Sequence, residues 1–154
     1  MNTTAQNQFK FVTTKKQHLE QILEIENSAH SYPWSESNLS SCFSRLYHNT
    51  GVELNGKLVA FSIIHQVVDE STLMDICVHP NYQGFGFGKQ LLIHAIDQAK
   101  NRNSAVMMLE VRASNHKALS LYEHLGFTET HRRKEYYQAD SKREDAIMME
   151  LRFD

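Results

Sequence analysis

A chain of 154 residues, 41% of them hydrophobic, is long enough to bury the core of one domain without metal or disulfide staples. Its 16 Lys and Arg against 18 Asp and Glu give a formal charge of -2, which excludes the strong positive field behind nonspecific nucleic-acid binding and leaves a small-molecule or protein ligand as the expectation. Cys42 and Cys77 are too far apart for a close-paired zinc site, residues 1–10 hold no apolar run of signal-peptide length, and no run approaches ~20 apolar residues, so a soluble cytoplasmic protein with no membrane partner is expected.

Residues 9–13 read as a strand, and Thr14 with Gln17 as a capping pair for a helix carrying Leu19, Ile22, Leu23 and Glu26. Pro33 sets the start of a short second helix capped by Ser35, with Leu39, Cys42, Phe43 and Leu46 on one side. Strands at 51–54, 58–68 and 72–78 follow as an antiparallel meander whose first turn, Asn55-Gly56, has tight-hairpin chemistry. His79-Pro80-Asn81-Tyr82 ends the meander and leads into Gln83-Gly84-Phe85-Gly86-Phe87-Gly88-Lys89, after which Leu91, Leu92, Ala95, Ile96 and Ala99 recur at helical spacing. Residues 106–111 read as a buried strand. Asn115 opens a helix with Ala118, Leu119, Tyr122 and Leu125 inward and Gly126 as its stop. Residues 127–137 and 146–153 read as closing strands around a polar loop at 139–145. With no repeat or linker, one α/β domain over residues 1–154 is expected, a mixed sheet with helices on its faces.

The glycine-rich turn carries the most chemistry. Alternating Gly84, Gly86 and Gly88 let successive amides approach a ligand, and the helix that follows presents unsatisfied N–H groups and its positive dipole end, a setting that favours a pyrophosphate. A connection that merely turns the chain is the alternative. A P-loop is excluded because Gln90, not Ser or Thr, follows Lys89, and a dinucleotide-binding turn fits weakly because one residue, not two, precedes the last glycine.

Gln83, Gly86 and Gly88 do fit the phosphate-loop pattern of the acetyl-CoA-dependent GNAT superfamily (Gln or Arg, two residues, Gly, one residue, Gly or Ala). Asp75-Ile76-Cys77-Val78-His79-Pro80 and Leu121-Tyr122-Glu123-His124-Leu125-Gly126-Phe127 resemble its neighbouring segments. Within the superfamily, Leu109-Glu110-Val111-Arg112-Ala113-Ser114-Asn115, Tyr32-Pro33-Trp34-Ser35, Arg133-Lys134-Glu135-Tyr136-Tyr137 and Arg143-Glu144-Asp145-Ala146 resemble the bacterial ribosomal-protein alanine N-acetyltransferases. The resemblance implies the GNAT fold, a mostly antiparallel mixed sheet of six or seven strands with four helices, splayed to admit acetyl-CoA, and a ribosomal-protein N-terminal tail as acceptor. It implies that Ile76, Cys77 and Val78 hold the acetyl-pantetheine arm through their backbone, that Gln83, Gly84, Phe85, Gly86, Phe87, Gly88 and Lys89 hold the pyrophosphate, and that Asn115 also binds cofactor. It makes Glu110 the general base and Tyr122 the general acid. Gly84 and Phe85 depart from the family, which commonly has a basic residue and then Gln or Gly at these positions.

Residue chemistry agrees in part. A carboxylate in the apolar strand around Glu110 should lose water and become more basic, although strand alternation could equally turn it to solvent or pair it with Arg112. A phenol such as Tyr122, with a reference pKa near ~10, can give a proton to a thiolate, although a core tyrosine is the commoner reading. Tyr32, Trp34 and Tyr136 are candidates for an acceptor wall or simply for packing. Cys77 reads as an inert strand thiol, and the nine His show no metal-ligand spacing, so no metal is expected. A monomer with no direct nucleic-acid partner is expected. A lysine or polyamine acetylase and a non-catalytic acetyl-CoA sensor stay open beside the N-terminal acetylase.

Overall fold

The computed structural model describes residues 8–137 and 143–154. The polar N-terminal stretch and the loop read at 139–145 therefore fall largely outside it. Runs rich in Val, Ile, Phe and Tyr form seven strands: β1 (Phe9–Thr13), β2 (Tyr47–Leu54), β3 (Lys57–Val67), β4 (Glu70–Val78), β5 (Val106–Arg112), β6 (Thr128–Tyr137) and β7 (Glu144–Arg152). They make one sheet in the order β1-β2-β3-β4-β5-β7-β6, antiparallel throughout except for the β4-β5 pair. Four α-helices flank it: α1 (Leu19–Ala29), α2 (Glu36–Ser40), α3 (Phe87–Asn101) and α4 (His116–His124).

Strand β3 is buried from Leu58 to Ile64 because it is covered on both sides, which explains its unbroken apolar run. Leu58, Phe61 and Ile63 pack with Ile22 and Ile25 of α1, while Val59, Ala60 and Ile64 face Leu91, Leu92 and Ala95 of α3. Asn55 and Gly56 both take positive φ, 54° and 80°, as the tight turn between β2 and β3 requires. No helix of the described residues is long and apolar enough to cross a membrane.

Two helix boundaries differ from the sequence reading. Thr14 does not cap α1: it is buried, its amide bonds the Asn49 carbonyl at 3.2 Å, and a 3-10 turn at Lys16–His18 precedes the helix, with the Lys15 amide donating to His18 Nδ1 at 2.9 Å. Ser35 does cap α2, accepting the Asn38 amide at 3.1 Å. The second helix is shorter than its apolar spacing suggests, because Cys42 leaves helical angles and Leu46 lies outside any helix.

The feature that positions the site is a splay. β4 and β5 pair only from Glu70 with Val106 to Leu73 with Leu109. Immediately beyond, Met74 is an extra residue in the β3-β4 ladder, between the pairs Ile64 with Leu73 and Ile63 with Asp75. Such a bulge bends its strand, so β4 stays with β3 while β5 stays with β7 as far as Arg112 with Ala146, and a gap opens between them.

Candidate functional site

The gap is a cavity of about 810 Å³ running from the glycine-rich turn to α1. Along one side run residues 73–78 of β4, with Cys77 facing α1, where its thiol meets the Ile25 carbonyl at 3.6 Å. Burial first, then the nearby Asp75 and Glu26, push that thiol far above its usual range, so it stays protonated and inert, as a strand cysteine in apolar company should.

At one end, Gly84 and Gly86 take φ of +88° and +86°, and an added Cβ at Gly84 would meet nothing within 4 Å, so the turn presents open backbone. Gln83 ties it to β4, its side-chain amide donating to the Val78 carbonyl at 2.9 Å. The first turn of α3 closes with the Gln90 amide on the Gly86 carbonyl at 3.0 Å, and the amides ahead of Gln90 have no acceptor inside the helix. These residues, with Lys89 at the lining, fit a diphosphate. Phe87 turns its ring into the core beside Leu91, and Phe85, outside the lining, packs on the same cluster, so both aromatics anchor the turn from behind. Asn115 lines the cavity as the cap of α4, accepting the Ala118 amide at 3.2 Å.

The other end is built by three separated segments. Leu109 and Val111 face the core, so alternation turns Glu110 and Arg112 into the cavity. Glu110 is half-buried and accepts the Tyr137 hydroxyl at 3.5 Å. Arg112 bonds Glu144 at 3.1 Å and lies between the rings of Tyr32 and Tyr137, 4.4 and 4.5 Å from their centroids. Hydrogen bonds from Ser114 and then Arg112 hold the Glu144 carboxyl below its usual range despite burial. Tyr32 and Trp34 line the cavity, whereas Tyr136 is outside the lining, with Arg133 over its ring. The tyrosine in the wall is its neighbour Tyr137, and the choice between them rests on a strand register that the sequence pattern leaves open.

Tyr122 enters from α4, buried with its ring against Phe127. Burial, with a smaller push from Asp75, raises its hydroxyl to about 12, so it remains a hydrogen-bond donor at any working pH. The carboxylate most deprived of water is not Glu110 but Glu26 of α1, fully buried, whose Oε2 accepts the Trp34 amide at 2.9 Å. Desolvation first, then the adjacent Asp75 carboxyl and its charge, push Glu26 well above the carboxylate range. The sequence reading put Glu26 on this helix with Leu19, Ile22 and Leu23, but nothing in the sequence told that it would meet Asp75. Ligand atoms of Glu26, His30 and Cys77 lie within 4.8 Å of one another.

Residues 19–127 match the family model for the acetyltransferase (GNAT) family. The chain is 48% identical over 127 residues to the ribosomal protein bS18-alanine N-acetyltransferase of Escherichia coli strain K12, covering 82% of this chain and 86% of that one. It is 43% identical over 131 residues to the enzyme of the same name from Haemophilus influenzae, 84% and 89% covered. The crystal structure of the ribosomal-protein-S18-alanine N-acetyltransferase from Escherichia coli superposes with a TM-score of 0.91 at 43% identity, covering 94% of this chain and 93% of that one. A Salmonella typhimurium structure solved with acetyl-CoA shares the fold at a TM-score of 0.80 and 23% identity, 96% and 95% covered. Family match, identity and shared architecture agree: the chain belongs to the GNAT acetyltransferase family.

Proposed function

We propose that this protein moves an acetyl group from acetyl-CoA to the α-amine of the N-terminal alanine of ribosomal protein bS18, acting as a cytoplasmic monomer without direct nucleic-acid or membrane partners. The observation that carries the reading is one cavity shared by the open turn at Gly84 and Gly86, the Glu110 carboxylate and the Tyr122 hydroxyl. The bS18 acceptor follows the names of the relatives.

Acetyl-CoA supplies the thioester that the amine attacks. The backbone of Ile76, Cys77 and Val78, the turn from Gln83 to Lys89 and Asn115 hold it, with Phe85 and Phe87 supporting the turn. Glu110 accepts a proton from the amine, and the Tyr137 hydroxyl on its Oε2 fixes its orientation. Tyr122 holds its proton toward the departing sulfur; with a hydroxyl at about 12 against a thiol near ~8.5, it stabilises the sulfur by hydrogen bonding, and full transfer requires the same burial to raise the thiol. An α-amine, with a pKa near ~7.7–8.0 against ~10.4 for lysine, is the acceptor cheapest to neutralise. Tyr32, Trp34 and Tyr137 line its approach, and Tyr136 supports Tyr137 from the edge at 5.2 Å.

Mass spectrometry of the protein with acetyl-CoA and three amines tests this: a peptide beginning with Ala, an N-blocked lysine peptide, and spermidine. Only the first should gain an acetyl group. Modification of the other two alone would replace the reading with a side-chain or polyamine acetylase, and modification of none would leave an acetyl-CoA sensor.

A further inference from the structure

The cavity wall holds a second acidic group that the transfer chemistry does not use. Asp75 follows the bulge in β4 and faces α1, on the same side of the sheet as Cys77 and Glu110. Its side chain is 8% exposed; Oδ1 lies 3.4 Å from His30 Nε2, and Oδ2 has no hydrogen-bond partner. Behind it Glu26 spends Oε2 on the Trp34 amide, while Oε1, 3.7 Å from His30 Nε2, has none. Two buried carboxyls side by side resist ionising together, and Glu26 is the one held protonated, which leaves Asp75 as the acceptor of the pair. Among the described residues, His30 is the only basic side chain within ion-pair distance of Asp75. A buried charge is costly until a cation meets it, and the amine that enters this cavity at neutral pH is largely a cation with three N–H donors.

We propose that Asp75, backed by Glu26 and flanked by His30, is a subsite for a protonated primary amine, which draws the incoming α-ammonium of the acceptor into the cavity and separates it from neutral analogues. The proposal rests on the acetyl-acceptor reading above, but concerns binding, before any proton reaches Glu110.

Trp34 is the single tryptophan of the chain and lies in the same wall with its amide on Glu26, so its fluorescence reports on the subsite. The test titrates the CoA-loaded protein at pH 7 with alaninamide and with lactamide, whose hydroxyl replaces the amine. Alaninamide should bind the wild type at least about tenfold more tightly, the range of one hydrogen bond to a charged group. In Asp75→Asn and Asp75→Ser the preference should drop below about twofold, with acetyl-CoA bound as in the wild type. A wild-type preference below twofold overturns the subsite whatever the variants do, and so does a preference that survives in either variant. If the preference is absent while the Ala peptide is still acetylated, the subsite falls and the function stands. A preference that depends on Asp75, in a protein that acetylates no α-amine, keeps the subsite and removes the function.

Discussion

Glu26 and Glu110 are both glutamates in apolar surroundings, and their different neighbours give them different work. Glu26 faces a packed core and Asp75, which keep it protonated; Glu110 faces a cavity and a tyrosine hydroxyl. Because Glu26 titrates higher in the folded chain than its unfolded value near ~4.3, the folded state binds more protons from that value upward, and stability falls as pH rises through neutral. Glu26→Gln, which keeps an acceptor for the Trp34 amide and a donor for Asp75, should flatten that slope and raise the unfolding midpoint at pH 8, seen in melts from pH 5 to 9. At Glu110 the expected effect is on rate. Glu110→Gln should lower kcat about 10²-fold at saturating acetyl-CoA with acetyl-CoA affinity unchanged, and Tyr122→Phe should do the same; normal turnover in either would remove that residue's role.

Elements matter where they end. The glycine turn works because β4 stops at Val78 and α3 starts at Phe87, leaving Gly84 and Gly86 in left-handed conformations. Gly86→Ala would meet only the Gln90 side chain at 3.9 Å, so its cost is the backbone angle, about 1–2 kcal/mol. Calorimetry should show weaker acetyl-CoA binding beyond any loss of stability in urea. At the other end, Arg112 ties β5 to the loop after α1 and to the β6-β7 hairpin through Tyr32, Tyr137 and Glu144. Arg112→Gln should therefore raise the acceptor KM about tenfold, with little change in the KM for acetyl-CoA.

Across the whole molecule, the sheet separates two cores that share β3, so damage to one face weakens the support of the splay itself. Phe61 is fully buried under α1, and Phe61→Ala should cost about 3–5 kcal/mol of a total near ~5–15, measured by urea unfolding. A ligand that fills the gap should act oppositely: acetyl-CoA at ~100 times its Kd should add about 2.7 kcal/mol, and an unchanged melting temperature would mean that the cavity does not take it.

Periodicity and turn chemistry alone determined the order of most strands and helices, where Ser35, Asn115 and Gly126 bound them, and that a glycine-rich turn joins β4 to α3, because these are local properties of backbone angles and side-chain spacing. The 3-10 turn before α1, the bulge at Met74, the meeting of Glu26 with Asp75 and the selection of Tyr137 over Tyr136 came only with tertiary structure. Each depends on contacts between segments far apart in the chain, and burial and register, which set the protonation of Glu26 and the wall of the cavity, do not exist until those segments pack.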